Sequence, residues 1–311
     1  MRWLLILLLL LQDDDVLKYK PELTRPKDFA DFWKSQLDAL AKETVKSELT
    51  KTKDSTDKID IYELSFPSAD GRTKVLGWFS APVGAKGLPA VVSIPAFGGT
   101  RGKGPPRYPG ACGLVIGYRG DGDEPWPKDW ITRGLDKIED SVFRIHYLNL
   151  VRAIRILQAR EEVDPKRILL TGGSLGGALS VVVAGLLGKE IAGIQASAPG
   201  MDYYFNADGT PVDSSFKQME KYVADHPKEK AQILKVLAYY APVNFAPDVT
   251  GDVLFACGGK DTLCTPKMVY AVYNHLGTTA KEIKFYADAG HGGFQGDWGA
   301  VSRAWIDKRL K

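Results

Sequence analysis

The run "RILLTGGSLGGALSVVVAG", residues 167–185, sets Ser174 between two pairs of glycines, with apolar residues on either side. A hydroxyl with so little side chain around it suits a phosphate-cradling loop, a tightly packed turn, or a turn that presents a nucleophile. A dinucleotide loop requires G-x-G-x-x-G, and here Ser174 replaces the middle glycine. A nucleoside-triphosphate loop requires Gly-Lys followed by Ser or Thr, and no lysine follows. Gly172-Gly173-Ser174-Leu175-Gly176 instead fits G-x-S-x-G, in which a sharp strand-to-helix turn lifts a serine hydroxyl above a sheet. The motif is weak alone, so its neighbours must supply a base, an acid and an oxyanion site.

A serine hydroxyl needs a base to take its proton, and that base needs a carboxylate to orient it. In serine hydrolases built on an α/β sheet, these follow the nucleophile in the order acid, then histidine, each on a loop after a later strand. His291 in "ADAGHGGF" follows the last strand-like run and is flanked by glycines. His146 and His275 fall inside helical patterns, and His226 falls in a polar insertion in the wrong order. Asp261 in "LFACGGKDTLCTP" follows the preceding strand. A helix cap or turn is the alternative reading of this aspartate. Asp252 precedes that strand and Asp288 crowds the histidine loop, so both are poorer candidates. One oxyanion N–H is expected from Leu175, just after the nucleophile. The second is expected from the loop "SIPAFGGT", at Ala96, with Phe97 the near alternative.

Those residues require strands that end in loops, and the pattern supplies them. "RPKDFADFWKSQLDALAKE" places Phe29, Phe32, Trp33, Leu37 and Leu40 at helical spacing. Strand-like runs follow in "KIDIYELSF", "KVLGWFSAP", "PAVVSIPA" and "GLVIGYRG". The spacing then predicts a helix over 140–160, with Phe143, Tyr147, Leu150, Val151, Ile154 and Leu157 on one face. Strand and helix alternate from there: "RILLTGG", "GALSVVVAGLLG", "IAGIQASAP", a polar and helical insertion over 201–245, then "DVLFACGG", "PKMVYAVYNHL", "EIKFYADAG" and a last helix around 298–310. Alternation of this kind predicts a mostly parallel sheet with helices on both faces, in a single domain over 16–311. Met201, Tyr203 and Tyr204 leave a strand end on the active side. Together with Phe97 they are candidate walls of an acyl pocket, core or lid packing being the alternative.

Charge and composition narrow the partners. Lys plus Arg number 41 and Asp plus Glu 38, a net charge of +3, and no basic stripe carries interleaved aromatics, so nucleic acid is not expected. The Lys-rich stretch 46–58 reads as a solvated face or loop. Cys112, Cys257 and Cys264 are too few for a disulfide framework. A Cys257–Cys264 bridge is conceivable, although a buried thiol is the commoner outcome for Cys257. The histidines are too scattered for a zinc motif, so neither metal nor cofactor is expected. "MRWLLILLLLLQDDD", residues 1–15, carries an apolar run too short to span a bilayer but long enough for a signal-peptide core. It has no small-residue cleavage site. Export is the expectation, with a cytoplasmic protein the alternative.

Beyond the triad pattern, whole phrases of the chain resemble the acetyl xylan esterase and cephalosporin C deacetylase family, carbohydrate esterase family 7. They are "RPKDFADFWKSQLDAL", "LPAVVSIPAFGG", "YRGDG", "DWITRGLDK", "VDPKRILLTGGSLGG", "YYAPVNFA", "GGKDTLCTPKMVYAVYNHL" and the histidine loop. The resemblance implies an α/β-hydrolase fold. It also implies a serine esterase that removes acetyl groups from small acetylated sugars or related alcohols through an acyl-enzyme. It gives Ser174, Asp261 and His291 the roles already assigned. General short-chain carboxylesterases, thioesterases and peptidases share the fold, and a non-catalytic binding protein is the rival from another class. The chain departs from the family pattern at Asp121 in Arg119-Gly120-Asp121, where Gln is usual. Leu175 stands where Gln usually follows the nucleophile, and Gly292 where Glu usually follows the histidine. The segment between "YRGDG" and "ITRGL" is shorter than usual. In the family that segment helps build a ring-like hexamer, so a homo-oligomer of this chain is expected to assemble differently.

Overall fold

The computed structural model describes residues 15–44, 46–119, 127–200, 205–212, 217–294 and 297–311. Met201, Tyr203 and Tyr204, Gly120 and Asp121, and the leader-like residues 1–14 lie outside the described residues.

Helix α1 (Phe29–Lys42) is followed by strands β1 (Glu48–Lys51), β2 (Ile59–Pro67), β3 (Lys74–Pro82), β4 (Leu88–Ile94) and β5 (Cys112–Gly117). Then come α2 (Val142–Gln158), β6 (Val163–Gly173), α3 (Leu175–Leu187) and β7 (Gly193–Ser197). The insertion contributes α4 (Lys217–Asp225) and α5 (Lys230–Ala238). The chain closes with β8 (Asp252–Gly258), α6 (Pro266–His275), β9 (Lys281–Tyr286) and α7 (Trp298–Leu310). Among the described residues no helix is long and apolar enough to cross a membrane.

The strands form one nine-stranded sheet in the order β1-β2-β3-β5-β4-β6-β7-β8-β9. β1, β2 and β3 pair antiparallel with one another and onto β5, and every pairing from β5 to β9 is parallel. The order reverses at β4, which has β5 on one side and β6 on the other. Such a reversal opens a crevice at the carboxyl ends of the strands, and that is where β6 delivers Ser174.

Central strands read as continuous apolar runs because both faces are covered. Period-two alternation still decides which face each side chain meets. Ala90 and Val92, Ile168 and Leu170, and Val253 and Phe255 join the larger core beneath α1, α2, α3 and α6. Their neighbours Val91, Leu169 and Leu254 pack on the other face with Trp305 and Ile306 of α7. The larger core holds an aromatic cluster in which Trp33 of α1 meets Tyr147 of α2, Tyr240 and Phe245. The helical spacing read in α1 is therefore spent on Phe29, Trp33 and Leu40, while Phe32 and Leu37 are only partly covered.

The Lys-rich stretch does present a solvated face, and part of it, Glu48–Lys51, is the edge strand β1, paired to β2 through Lys51↔Tyr62 and its neighbours. Its residues are largely exposed. Charged edge strands of this kind deter pairing with other chains, and a short polar strand leaves little hydrophobic pattern to read. Cys112, Cys257 and Cys264 are all buried, and no disulfide joins Cys257 to Cys264.

Candidate active site

Ser174 sits between the last residue of β6 and the first of α3 with φ 52° and ψ −126°. Among the described residues, only Ser174 and Ala198 are non-glycine residues with positive φ. For a residue with a Cβ, this conformation costs about 1–3 kcal/mol and persists only where its surroundings enforce it. Here they do. The Ser174 N–H donates to the Ser197 carbonyl of β7 at 2.9 Å, and its own carbonyl accepts from Gly177, Ala178 and Gly200.

The glycines around the serine are explained by what presses against them. A Cβ on Gly176 would lie 2.1 Å from the Ile94 carbonyl oxygen, and one on Gly172 would lie 2.5 Å from the Gly176 backbone. Helix α3 can thus start against the end of β4 only if both side chains are missing. That approach brings the N-terminus of α3, with Leu175 as its first residue, beside the loop that carries Ala96 and Phe97. The first N–H groups of a helix have no partner within it and carry partial positive charge, so they suit a developing oxyanion.

Asp261 lies on the loop between β8 and α6, with its side chain fully buried. One carboxylate oxygen accepts from the backbone N–H groups of Leu263 at 2.8 Å and Cys264 at 2.9 Å. The other lies 2.8 Å from Nδ1 of His291, on the loop after β9, whose side chain is 28% exposed. A fixed carboxylate on Nδ1 selects the tautomer that leaves Nε2 able to accept a proton.

The poorer candidates are engaged elsewhere. Asp252 accepts from Arg309, and Asp288 pairs with Lys260 at 2.6 Å, which holds its carboxyl below the usual range. His146 is buried beside Trp130 and Tyr118, and desolvation pushes its pKa down to about 3. His226 bonds to the Tyr222 carbonyl, and His275 to the Pro21 carbonyl. His291 is the histidine set against the Asp261 carboxylate.

Sequence reasoning missed the part played by Cys264. Its buried Sγ lies 3.7 Å from Ser174 Oγ. That sulfur, an Asp261 carboxylate oxygen and a His291 ring nitrogen all lie within 4.8 Å of one another. Among the described residues no hydrogen bond joins Ser174 to His291. The only available signal was position, since Cys264 is three residues after Asp261 in the same loop. A sulfur, a nitrogen and an oxygen so close could hold a zinc-like ion in principle. Asp261, however, already spends both oxygens on His291 and the loop N–H groups.

Phe97, the described candidate for the wall of an acyl pocket, is 49% exposed and stacks on Trp130, with ring centroids 5.5 Å apart. Met201 and Tyr204, the other expected pocket residues, are outside the described residues.

A mostly parallel sheet flanked by helices, with a strained serine at the switch point and an Asp–His pair on later loops, defines an α/β-hydrolase. The chain belongs to the acetyl xylan esterase (AXE1) family, whose sequence profile matches residues 6–305. The acetyl esterase Axe7A of Xylanibacter ruminicola is 31% identical over an alignment of 287 positions that covers 85% of this chain and 63% of that protein. This chain thus spans less than two thirds of that relative's length. Among solved structures, the acetyl xylan esterase from Paenibacillus sp. R4 superposes with a TM-score of 0.78 at 26% identity, covering 95% of this chain and 98% of that one. Acetyl xylan esterase 1 from Thermoanaerobacterium sp. JW/SL YS485 has the same fold, with a TM-score of 0.80 at 22% identity over 96% and 98% of the two chains.

Proposed function

We propose that this protein is a serine esterase that removes acetyl groups from small acetylated sugars or related alcohols. The observation that carries the reading is the 2.8 Å contact between His291 Nδ1 and the buried Asp261, placed beside a serine held in an elbow conformation. Family membership and the acetyl esterase and acetyl xylan esterase names of similar proteins support the substrate class.

In this mechanism Ser174 Oγ attacks the ester carbonyl while His291 Nε2 takes its proton. The carbonyl oxygen becomes an oxyanion held by the N–H of Leu175 and that of Ala96 or Phe97. His291 then protonates the leaving alcohol, and an acetyl group remains on Ser174. Water repeats the sequence in reverse, releasing acetate. Asp261 keeps the imidazole in the required tautomer and stabilises its protonated form. Phe97, stacked on Trp130, lies on the loop of the second oxyanion N–H, where an acyl group or a sugar would be met.

Initial rates on matched 4-nitrophenyl acetate and butyrate, together with a panel of acetylated sugars, test the proposal. Acetyl esters are expected to exceed butyryl esters in kcat/KM by about tenfold or more, since an added methylene that clashes is rejected strongly. Longer esters with the higher kcat/KM would replace the acetyl esterase reading with a general carboxylesterase. Absence of ester hydrolysis in the native protein would remove the enzyme reading altogether.

A further inference from the structure

We propose that Cys264 is a positioning residue for the nucleophile: in the resting protein its thiol holds Ser174 Oγ away from His291, and reaction begins with Oγ rotating to the imidazole. The inference rests on Ser174 being the nucleophile and goes beyond it by naming what sets its resting place.

Three observations carry the inference. First, Ser174 Oγ lies 3.7 Å from Cys264 Sγ, a contact in which either group can donate, while no hydrogen bond joins it to His291 among the described residues. Second, the sulfur is closely packed. The Cys264 N–H is tied to Asp261 at 2.9 Å, and a Cβ added to Gly200 would come within 2.0 Å of Sγ. Gly200 in turn donates its N–H to the Ser174 carbonyl at 3.1 Å, so nucleophile, glycine and thiol form one packed unit. Third, the same sulfur lies within 4.8 Å of both an Asp261 oxygen and a His291 nitrogen, so one thiol neighbours the nucleophile and its acid–base pair alike.

The chemistry of sulfur makes this arrangement workable. A thiol is a weak donor and a weak acceptor, so it fixes the direction of a serine hydroxyl without holding it strongly. Oγ can leave for the stronger imidazole acceptor when an ester arrives. A buried oxygen or amide in that place would hold Oγ more firmly, and an apolar side chain would leave it to His291 from the outset.

The test compares native protein, Cys264→Ala and Cys264→Ser by the second-order rate of labelling with a fluorophosphonate, the labelled residue being identified by mass spectrometry. Cys264→Ala removes the competing partner, and labelling at Ser174 is expected to speed up about two- to tenfold, the range of one modest hydrogen bond. Kcat/KM for 4-nitrophenyl acetate should rise with it. Cys264→Ser restores a polar partner and should bring the rate back towards native. Truncating a residue with a purely structural role would lower Tm and slow the reaction, so a faster alanine variant separates the two roles. An alanine variant that labels at the native rate or slower overturns the inference while leaving the esterase reading intact. Native protein that takes no label at Ser174 overturns both. If the alanine variant does not fold, a crystal structure of the native protein decides the matter: Oγ beside Cys264 Sγ supports the inference, and Oγ within hydrogen-bond reach of His291 Nε2 overturns it.

Discussion

His146 lies on α2, sealed against Trp130 and Tyr118, whereas His291 stands on the loop after β9 with Nδ1 on a carboxylate and its ring partly in solvent. Both are imidazoles with the same intrinsic chemistry. Burial, with the charge of Arg119 adding to it, makes the first a neutral packing group that does not take a proton near neutral pH. The second has a fixed carboxylate on Nδ1 and a partly exposed ring, the arrangement a general base requires. The loops at the carboxyl ends of the strands thus carry chemistry because the core beneath them is closed to it. The difference between the two histidines can be tested from either side.

The largest expected effect is on turnover. Ser174→Ala or His291→Ala should lower kcat by about 10⁴-fold or more with folding retained, because each removes a chemical step. His146→Gln should leave kcat within about a few-fold of native once the protein is folded. Equal losses from the two histidine variants would erase the contrast. The measurement is steady-state hydrolysis of 4-nitrophenyl acetate, alongside circular dichroism to confirm folding.

The acids give the next comparison. Asp261→Asn should lower kcat by about 10³- to 10⁴-fold through the wrong imidazole tautomer. Asp288→Asn removes only an exposed pair with Lys260 and should leave the rate close to native. If Asp288→Asn proved the damaging change, the acid would be misassigned despite the 2.8 Å contact of Asp261 with His291.

A stability experiment probes the elbow that brings Ser174 and the first N–H groups of α3 up to the end of β4. The methyl of Gly176→Ala would lie 2.1 Å from the Ile94 carbonyl oxygen, and the backbone must shift to admit it. A loss of about 1–3 kcal/mol in urea unfolding is expected, with reduced turnover. Full stability and full activity together would show that the close approach of α3 to β4 is not required.

An effect of similar size is the dependence of stability on pH. His146 has a folded pKa of about 3 against an ordinary 6.5, so the unfolded chain binds a proton that the folded one refuses. Its contribution is complete above about pH 6.5 and is lost as pH falls through the window towards 3. By pH 4 the loss is on the order of 3 kcal/mol. Chemical denaturation at pH 7 and pH 4.5 should show a smaller drop for His146→Gln than for native protein. Identical drops would mean that His146 reaches solvent in the folded state.

Much of the site was legible before any coordinates. The order Ser174, Asp261, His291 and the placement of each after a strand-like run singled out the three residues, and alternation of strands and helices gave the layered sheet. The edge strand β1 was not legible, because four largely exposed residues rich in charge carry no hydrophobic period. Neither was the stacking of Phe97 on Trp130, since an aromatic on a glycine-rich loop reads the same whatever ring it meets.

The sequence by itself determined the types of group available and the elements that carry them: a serine in a turn that tolerates no bulk, a carboxylate and an imidazole on later loops, and apolar runs long enough to bury a parallel sheet. The tertiary structure alone decided who meets whom. Asp261 and His291 are 30 positions apart, and Ser174 and Cys264 are 90 apart, so their contacts depend on the pairing of β6, β7, β8 and β9. Pairing order arises from packing side chains across the whole sheet, which no local pattern contains. That is why Cys264 read as an ordinary buried thiol in the sequence and stands beside the nucleophile in the fold.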